Sequence, residues 1–444
     1  MIPRLLRHSG WNLAGQAVPM LMGLVSIPIL IRAIGDGRFG FLSIGWMLIG
    51  YFGVLDLGIG RALTHGVAKR MARDPKASIA DLAWTGLAAL ALLGAVGGLL
   101  LAACSPWLVH TFMRLSGELR AEALPALMML SAAVPFVLLS AGLSGILVAR
   151  QEFRALSLAQ MPMGVLLFAG PLVVVPFSVA LPYVILPLLL VRAAHSAVLF
   201  AVCTRRVEGF LRPTVSRATL RELLAFGSWM TVSNVVSPIM VNMDRLFIGS
   251  LLTVSAVTYY VTPFELTSKL LMISSAIAGV SFPEFSRLAK LGDRDAARRY
   301  LVRSLALVLA LLAPAALVAG VFAHPILRWW ISPALADRSA PLMQILAVGM
   351  VVNGASAVAF VHIQGTGRSD LTAKFHLLEL ACYVPALLVM IRWLGLTGVA
   401  VAWVLRVLLD AGLLFRYSWT QLARAPGSAS EEPVAEAAAR AGSR

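Results

Sequence analysis

The sequence predicts an all-α polytopic membrane protein with about 12 transmembrane helices in two six-helix lobes, related by a parallel pseudo-two-fold repeat. Hydrophobic residues make up 59% of the 444 residues, and the mean hydropathy is +0.85. They form solid apolar runs of about 20 residues, the length that a helix needs to cross a hydrocarbon core about 30 Å thick. A β-barrel would instead show alternating segments of about ten residues.

Each predicted span follows one apolar run. Two long runs contain turn-forming residues, at Ser178–Pro182 and Leu394–Gly398, and we divide each of them into two spans there. The resulting spans are residues 10–34, 39–64, 79–106, 122–148, 155–178, 180–203, 223–250, 256–284, 301–322, 339–364, 372–393 and 396–420.

Basic residues are concentrated in alternate connections, which predicts the orientation. The positive-inside rule places these connections and both termini in the cytoplasm. Topology also accounts for the net charge of +16, so we expect no nucleic-acid partner. The cytoplasmic set comprises Arg4, Arg7, Lys69, Arg70, Arg73, Lys76, Arg150, Arg154, Arg205, Arg206, Arg212, Arg217, Arg221, Arg287, Lys290, Arg294, Arg298 and Arg299.

The two halves of the chain resemble each other. Trp11 corresponds to Trp229 at an offset of 218 residues, and Arg192 corresponds to Arg406 at an offset of 214. Six spans in each half give both halves the same direction, which is a parallel repeat. The predicted domains are an N-terminal lobe (1–203), a cytoplasmic linker (204–222), a C-terminal lobe (223–420) and a disordered cytoplasmic tail (421–444).

Arg192 and Arg406 lie near the middle of spans six and twelve. A charge at this depth is costly unless it faces a cavity or a partner. Two symmetry-related guanidinium groups on a shared cavity could bind a diphosphate, since each can form a forked pair with phosphate oxygens. Alternatively, Arg406 pairs with Asp410 one turn on, and Arg192 meets a helix end or a carbonyl group.

Three further cations are candidates for a basic cavity: Arg61, Arg245 and Lys269. Lys269 follows Glu265 by four residues, a spacing that also permits an ion pair with a structural role.

Acidic residues within predicted spans are candidates for coupling transport to a cation gradient, because membrane carboxylates often take part in proton relays. These candidates are Asp56, Asp244 and Glu265. Asp56 could equally be the partner of Arg61. Asp244 and Arg245 are adjacent and point about 100° apart, so we expect one to line a cavity and the other to pair with the next helix.

The sequence predicts no enzyme, metal or cofactor. It contains no Gly-rich loop ending in Lys-Ser/Thr and no catalytic Ser/His/Asp or paired-carboxylate arrangement. The cysteines and three intramembrane histidines are isolated in sequence and fit packing positions rather than metal spacing: Cys104, Cys203, Cys382, His65, His195 and His376.

Short motifs in both halves carry a family resemblance. They are Trp11-Asn12-Leu13, Ser26-Ile27-Pro28, Ile34-Gly35, Arg38-Phe39-Gly40, Gly50-Tyr51, Leu55-Asp56-Leu57-Gly58-Ile59-Gly60, Asn242-Met243-Asp244-Arg245-Leu246-Phe247-Ile248-Gly249 and Thr258-Tyr259-Tyr260. Their order and spacing resemble the polysaccharide flippases, of the O-antigen transporter type, in the multidrug/oligosaccharidyl-lipid/polysaccharide (MOP) exporter superfamily.

The resemblance implies an ion-gradient-driven flippase. Its substrate would be undecaprenyl-diphosphate-linked oligosaccharide, moved by alternating access from the cytoplasmic to the periplasmic leaflet of a bacterial cytoplasmic (inner) membrane. It further implies the lipid bilayer, a coupling cation (H⁺ or Na⁺) and a polysaccharide polymerase as partners. A multidrug or cation antiporter of the same fold, whose cavity should be acidic and aromatic, and a lipid II flippase, whose family often has 14 helices, remain alternatives.

Overall fold

The computed structural model describes residues 2–54, 56, 58–73, 79–115, 117–150, 152–207, 210–211, 213–223 and 243–423. In these ranges the regular secondary structure is helical, as predicted. The helices are α1 (Ile2–Val54), α2 (Ile59–Arg73), α3 (Ala80–Trp107), a π-helix (Leu108–Phe112), α4 (Gly117–Ala149), α5 (Phe153–Val174), α6 (Leu181–Arg206), a helical stretch at residues 217–223, α7 (residues 243–251), α8 (Val254–Ser268), α9 (Leu271–Leu291), α10 (Arg294–Val321), α11 (Ala323–Trp330), α12 (Pro333–Gly365) and α13 (Ser369–Ala423).

Within the described ranges, eight helical segments are long and apolar enough to cross a membrane, and α8 with α9 can form a ninth. Large apolar side chains stay exposed on their faces; Leu99 of α3 is 71% exposed and Leu317 of α10 is 66% exposed. Such faces suit contact with lipid. Most of the predicted seventh span and nearly all of the predicted tail lie outside the described residues. The number of twelve spans therefore stays a prediction.

Two of the membrane-spanning helices are interrupted by a glycine. Gly35 in α1 has φ 79°, and Gly395 in α13 has φ 58°, so each helix consists of two helical stretches. A residue with a side chain is strained at these angles, whereas glycine adopts them freely. The break at Gly35 coincides with the predicted boundary between the first two spans, and the break at Gly395 with the boundary between the last two.

Contacts divide the chain into two compact units. Unit 1 comprises residues 1–266, 322–343 and 384–400; unit 2 comprises residues 267–321, 344–383 and 401–444. The core of unit 1 includes the fully buried Leu63, Leu147 and Leu199, and the core of unit 2 includes Leu301 and Leu312. Since unit 1 combines segments from both halves of the sequence, these units differ from the predicted lobes, and the lobe boundaries stay a prediction.

Small residues let helices in unit 1 approach each other closely. Gly98 of α3 faces the carbonyl oxygen of Ser131 in α4, where a Cβ would lie 2.7 Å from that oxygen. Gly40 of α1 faces the carbonyl oxygen of Val254 at the start of α8, and a Cβ at Gly40 would overlap this backbone atom. Close backbone approach at glycine is a usual way for membrane helices to pack. Gly40 thereby fixes α1 against the first turn of α8.

We predict that Gly40→Ala destabilises the protein. The added methyl group overlaps a backbone oxygen that cannot rotate away, and overpacking of this kind costs about 1–3 kcal/mol. The matched control is Gly50→Ala in the same helix, because nothing lies within 4 Å of a Cβ at Gly50. Thermal unfolding in detergent should show a lower midpoint for Gly40→Ala alone. Equal midpoints for the two variants would contradict the close approach.

Candidate functional site

Asp56 caps the start of α2. One carboxylate oxygen accepts the backbone N–H of Gly58 at 2.9 Å, and the other accepts that of Gly60 at 2.9 Å. Asp56 is 9% exposed, and Arg61 is exposed on α2. Both oxygens satisfy backbone groups that a helix start otherwise leaves unpaired. These two contacts are enough to explain why a carboxylate is buried here. A role of Asp56 in coupling stays a prediction.

Asp244 and Arg245 both contact α8. The Tyr260 hydroxyl donates to Asp244 at 2.6 Å, and Arg245 forms a salt bridge with Glu265 at 2.8 Å. Asp244 also accepts the backbone N–H of Arg245 at 2.8 Å. The expectation that one of the two lines a cavity while only the other pairs with the next helix is therefore wrong. The reason is that Tyr260 and Glu265 present a partner to each of them.

Tyr259 is the centre of a polar cluster at the predicted outer ends of the helices in unit 1. Its hydroxyl donates to Asp36 at 2.5 Å and accepts from Arg338 at 3.1 Å. The Thr258 hydroxyl donates to the carbonyl oxygen of Asp36 at 2.6 Å. The Ser339 hydroxyl donates to the carbonyl oxygen of Tyr259 at 2.9 Å. The cluster joins residues that are 79 to 223 positions apart in the sequence.

Two further bonds join the same parts of the chain. Arg32 donates from Nε to the carbonyl oxygen of Ile331 at 2.7 Å. The indole N–H of Trp330 donates to the carbonyl oxygen of Leu24 at 2.8 Å. Together with the Tyr259 cluster, these two bonds connect α1 to α8, to the end of α11 and to the start of α12.

Arg406 is held by a carboxylate that sequence reasoning did not select. Its Nε lies 3.3 Å from Glu379, and its guanidinium carbon lies 5.4 Å and 5.8 Å from the ring centroids of Tyr383 and Trp403. Arg406 is 7% exposed and Glu379 is 3% exposed. Such an environment suits a buried cation with ionic and cation–π contacts. Glu379 could have been selected from the sequence, because it is an acidic residue within the predicted eleventh span.

His376 is not isolated in the structure. A nitrogen of its ring and one oxygen each of Glu379 and Asp410 all lie within 4.8 Å of one another. His376 does pack, on Phe360 at a centroid distance of 5.9 Å, but the expectation that it is isolated is wrong, because residues 34 positions apart in sequence meet across the two stretches of α13. One imidazole and two carboxylates can ligate a cation, but the Arg406 charge beside them favours a proton over a divalent metal.

The other predicted site residues are distributed over both units. Arg192 lies at the middle of α6 in unit 1, and its Nη1 is 3.9 Å from the sulfur of Met163 in α5. Lys269 lies in the two-residue break between α8 and α9, in unit 2. The structure thus brings together Asp244, Arg245 and Glu265, while Arg192 and Arg406 belong to different units. That these two arginines share one ligand stays a prediction.

Sequence comparison shows what the chain is similar to. Residues 29–333 match the family model described as "Polysaccharide biosynthesis protein". A Shigella flexneri protein named "Putative O-antigen transporter" is 28% identical over 418 residues, which cover 94% of this chain and 98% of that protein.

Solved structures share the fold. A multidrug resistance MATE family transporter of the MOP superfamily, in an inward-facing conformation, matches with a TM-score of 0.76 over 92% of this chain and 98% of that one, at 15% identity. The lipid II flippase MurJ, in an inward closed conformation, matches with a TM-score of 0.72 over 93% and 89%, at 13% identity.

We predict that Asp56→Asn and Asp56→Ala differ. Asparagine has one acceptor oxygen, so Asp56→Asn should keep one of the two capping bonds and lose only part of the stability. Asp56→Ala leaves both N–H groups unpaired and should cost more, about 1–2 kcal/mol. Thermal unfolding of both variants in detergent measures the difference. If folded Asp56→Asn still moved substrate but no longer responded to a gradient, the carboxylate charge itself would be required and capping would not be its only role.

Proposed function

The chain belongs to the polysaccharide biosynthesis protein family and is a multi-pass membrane transporter rather than an enzyme; from this premise we propose that it flips an undecaprenyl-diphosphate-linked oligosaccharide. Transport would run from the cytoplasmic to the periplasmic leaflet of the bacterial inner membrane, driven by an ion gradient. The name of the Shigella flexneri relative supports a glycan of the O-antigen type. A polysaccharide polymerase as partner stays a prediction.

Arg192 is the observation that favours an anionic substrate. It lies halfway along a membrane-spanning helix, and no carboxylate pairs with it in the part of the chain that the structure describes. A guanidinium group keeps its charge even when it is buried. Its charge therefore calls for an anionic partner, and a lipid-linked diphosphate provides one at this depth. Arg406, in contrast, already has Glu379 as its partner.

The Tyr259 cluster is the part of the molecule that we assign to the outer gate. Alternating access requires that outer helix ends from the two halves of the sequence close together and then separate. Asp36 comes from the first half, and Tyr259 and Arg338 come from the second half. Hydrogen bonds near a polar membrane surface break at modest cost, since water can replace each partner. A closed gate made of them can therefore open in each transport cycle.

The buried group of His376, Glu379 and Asp410 is our candidate for ion coupling, in preference to Asp56, Asp244 and Glu265. The candidates chosen from sequence accept hydrogen bonds or salt bridges that hold helices in place. In contrast, Glu379 and Asp410 provide two negative charges beside the single positive charge of Arg406. Binding of one proton or sodium ion would balance the charge in this low-dielectric site.

A multidrug cation antiporter of the same fold is the second candidate. The buried carboxylates Glu379 and Asp410 favour it, because an acidic pocket suits lipophilic cations. Arg406 beside them opposes it, since the guanidinium group repels a second large cation.

We predict that the purified protein in vesicles moves a short polyprenyl-diphosphate-linked fluorescent sugar between leaflets, faster under an imposed proton or sodium gradient. Loss of access to a membrane-impermeant quencher measures this movement. Empty vesicles are the control. Gradient-driven export of a lipophilic cationic dye, without movement of the lipid head group, would support the antiporter instead.

We predict that Glu379→Gln removes the response to the gradient in that assay and leaves slow, gradient-independent flipping. An amide of the same shape cannot take up a proton or contribute a charge. The matched control is Glu284→Gln, which changes a partly exposed acid that forms a salt bridge of 2.7 Å with Arg287, one helical turn away. A full response to the gradient in Glu379→Gln would exclude Glu379 as a coupling residue.

We predict that Tyr259→Phe opens the outer gate more often. The variant loses the hydroxyl that links Asp36 to Arg338, and a loss of about 1 kcal/mol corresponds to about fivefold in the open population. The measurement is the labelling rate, by an impermeant thiol reagent, of a cysteine at Ser255 in a protein without its three native cysteines. Tyr300→Phe, which changes a ring packed on Phe285 at a centroid distance of 5.1 Å, is the control. Equal labelling rates in wild type and Tyr259→Phe would show that the cluster is no gate.

A further inference from the structure

One face of α6 carries two basic side chains between apolar ones. Leu188, Arg192, His195 and Leu199 follow at spacings of four, three and four residues, which places them on one face of an α-helix. Leu188 and Leu199 are fully buried, whereas Leu190 on the opposite side is 57% exposed. Arg192 and His195 therefore point into the helix packing of unit 1 and away from its exposed surface.

Polar atoms on this face have no partner among the described residues. His195 is 7% exposed, and both of its ring nitrogens are buried without a hydrogen bond. Nε of Arg192, one turn earlier, is buried in the same way. Buried polar groups in native proteins are nearly always hydrogen-bonded, because an unmade bond there is expensive. Three such atoms on adjacent turns indicate that something binds there.

The contact that Arg192 does make is a weak one. Its Nη1 lies 3.9 Å from the sulfur of Met163, and a thioether is a poor acceptor. The methionine side chain is unbranched and has three rotatable bonds, so it can move aside at low cost. A stronger acceptor that entered from the α5 side could therefore replace the sulfur.

The charge of the pair decides the class of ligand. Arg192 is a permanent donor, and no described carboxylate neutralises it. A neutral imidazole can donate from one nitrogen, and a protonated imidazole from both. A tetrahedral oxyanion offers acceptors to a forked guanidinium and has oxygen atoms left for an imidazole N–H. A cation or an apolar ligand would leave these donors unpaired.

We propose that Arg192 and His195 form a phosphate-binding site on the buried face of α6, which a phosphate group enters as Met163 moves aside. The proposal rests on the proposed function only for the source of this group, which is either the diphosphate of a lipid-linked substrate or free phosphate. His195 thereby acquires a binding role that its isolated position in the sequence did not indicate.

The test measures binding of two probes to the full-length protein in nanodiscs: farnesyl diphosphate and inorganic diphosphate. Arg192→Gln should weaken the affinity at least tenfold, and His195→Gln about five- to tenfold, as expected for loss of a charged and a neutral hydrogen-bond donor. Arg192→Lys should fall between wild type and Arg192→Gln, because a point charge lacks the fork. Arg205→Gln removes the same charge from the exposed end of α6 and should bind as wild type does.

A second pair of variants tests the position of Met163. Met163→Glu should abolish binding, because the new carboxylate pairs with Arg192 in place of phosphate. Met163→Leu keeps the volume, removes the weak acceptor, and should leave binding unchanged. If Met163→Glu fails to fold, Met163→Leu and the Arg192 and His195 variants still decide the question.

The two probes identify the source. Binding of farnesyl diphosphate alone supports the site and assigns it to a lipid head group; equal binding of inorganic diphosphate supports the site and assigns it to free phosphate. Wild-type affinity in folded Arg192→Gln and His195→Gln, or no binding of either probe to the wild type, would overturn the site. The vesicle assay separates this proposal from the proposed function. If the wild type, Arg192→Gln and His195→Gln all flip the substrate equally well, the protein is a flippase but the phosphate site on α6 is wrong.

Discussion

A polar group that lies within the hydrocarbon layer has no water to bond to, and this constraint determines most of the structure. The chain meets it first by being helical over most of its described residues, because a helix satisfies its own backbone. Helix starts and breaks are the weak points. At the start of α2, the side chain of Asp56 supplies the acceptors that Gly58 and Gly60 lack. At Gly35 and Gly395, glycine provides the backbone angles that a sharp break requires.

The same constraint pairs the charged side chains. Arg245 meets Glu265, and Arg406 meets Glu379 within a cage of aromatic rings. Such pairs hold helices together at fixed positions, but their burial leaves them little freedom to bind anything else. Buried ionisable groups that are not fully paired are therefore the better candidates for binding a ligand or an ion. In unit 2 this is Asp410, the second carboxylate beside the Arg406–Glu379 pair, and in unit 1 these are Arg192 and His195.

A different rule applies to the predicted outer ends of the helices. Here water can compete for each polar group, so hydrogen bonds are weaker and reversible. The Tyr259 cluster connects residues from both halves of the sequence in this region. In the proposed transport cycle, hydrogen bonds of this kind can break and re-form, whereas buried salt bridges hold their helices in place.

The sequence alone determined the helical membrane class, the family resemblance and the breaks at Gly35 and Gly395, because hydrophobic run length and glycine positions are local properties. It also identified Arg192 and Arg406, since a charge within an apolar run is visible without a fold. It could not find their partners. Whether Arg406 meets Asp410 or Glu379, or whether Asp56 meets Arg61 or two backbone N–H groups, depends on the rotation and approach of helices. His195 illustrates the same limit: only the packed bundle decides that both of its nitrogens are buried without a hydrogen bond, because burial arises from neighbours that are distant in sequence.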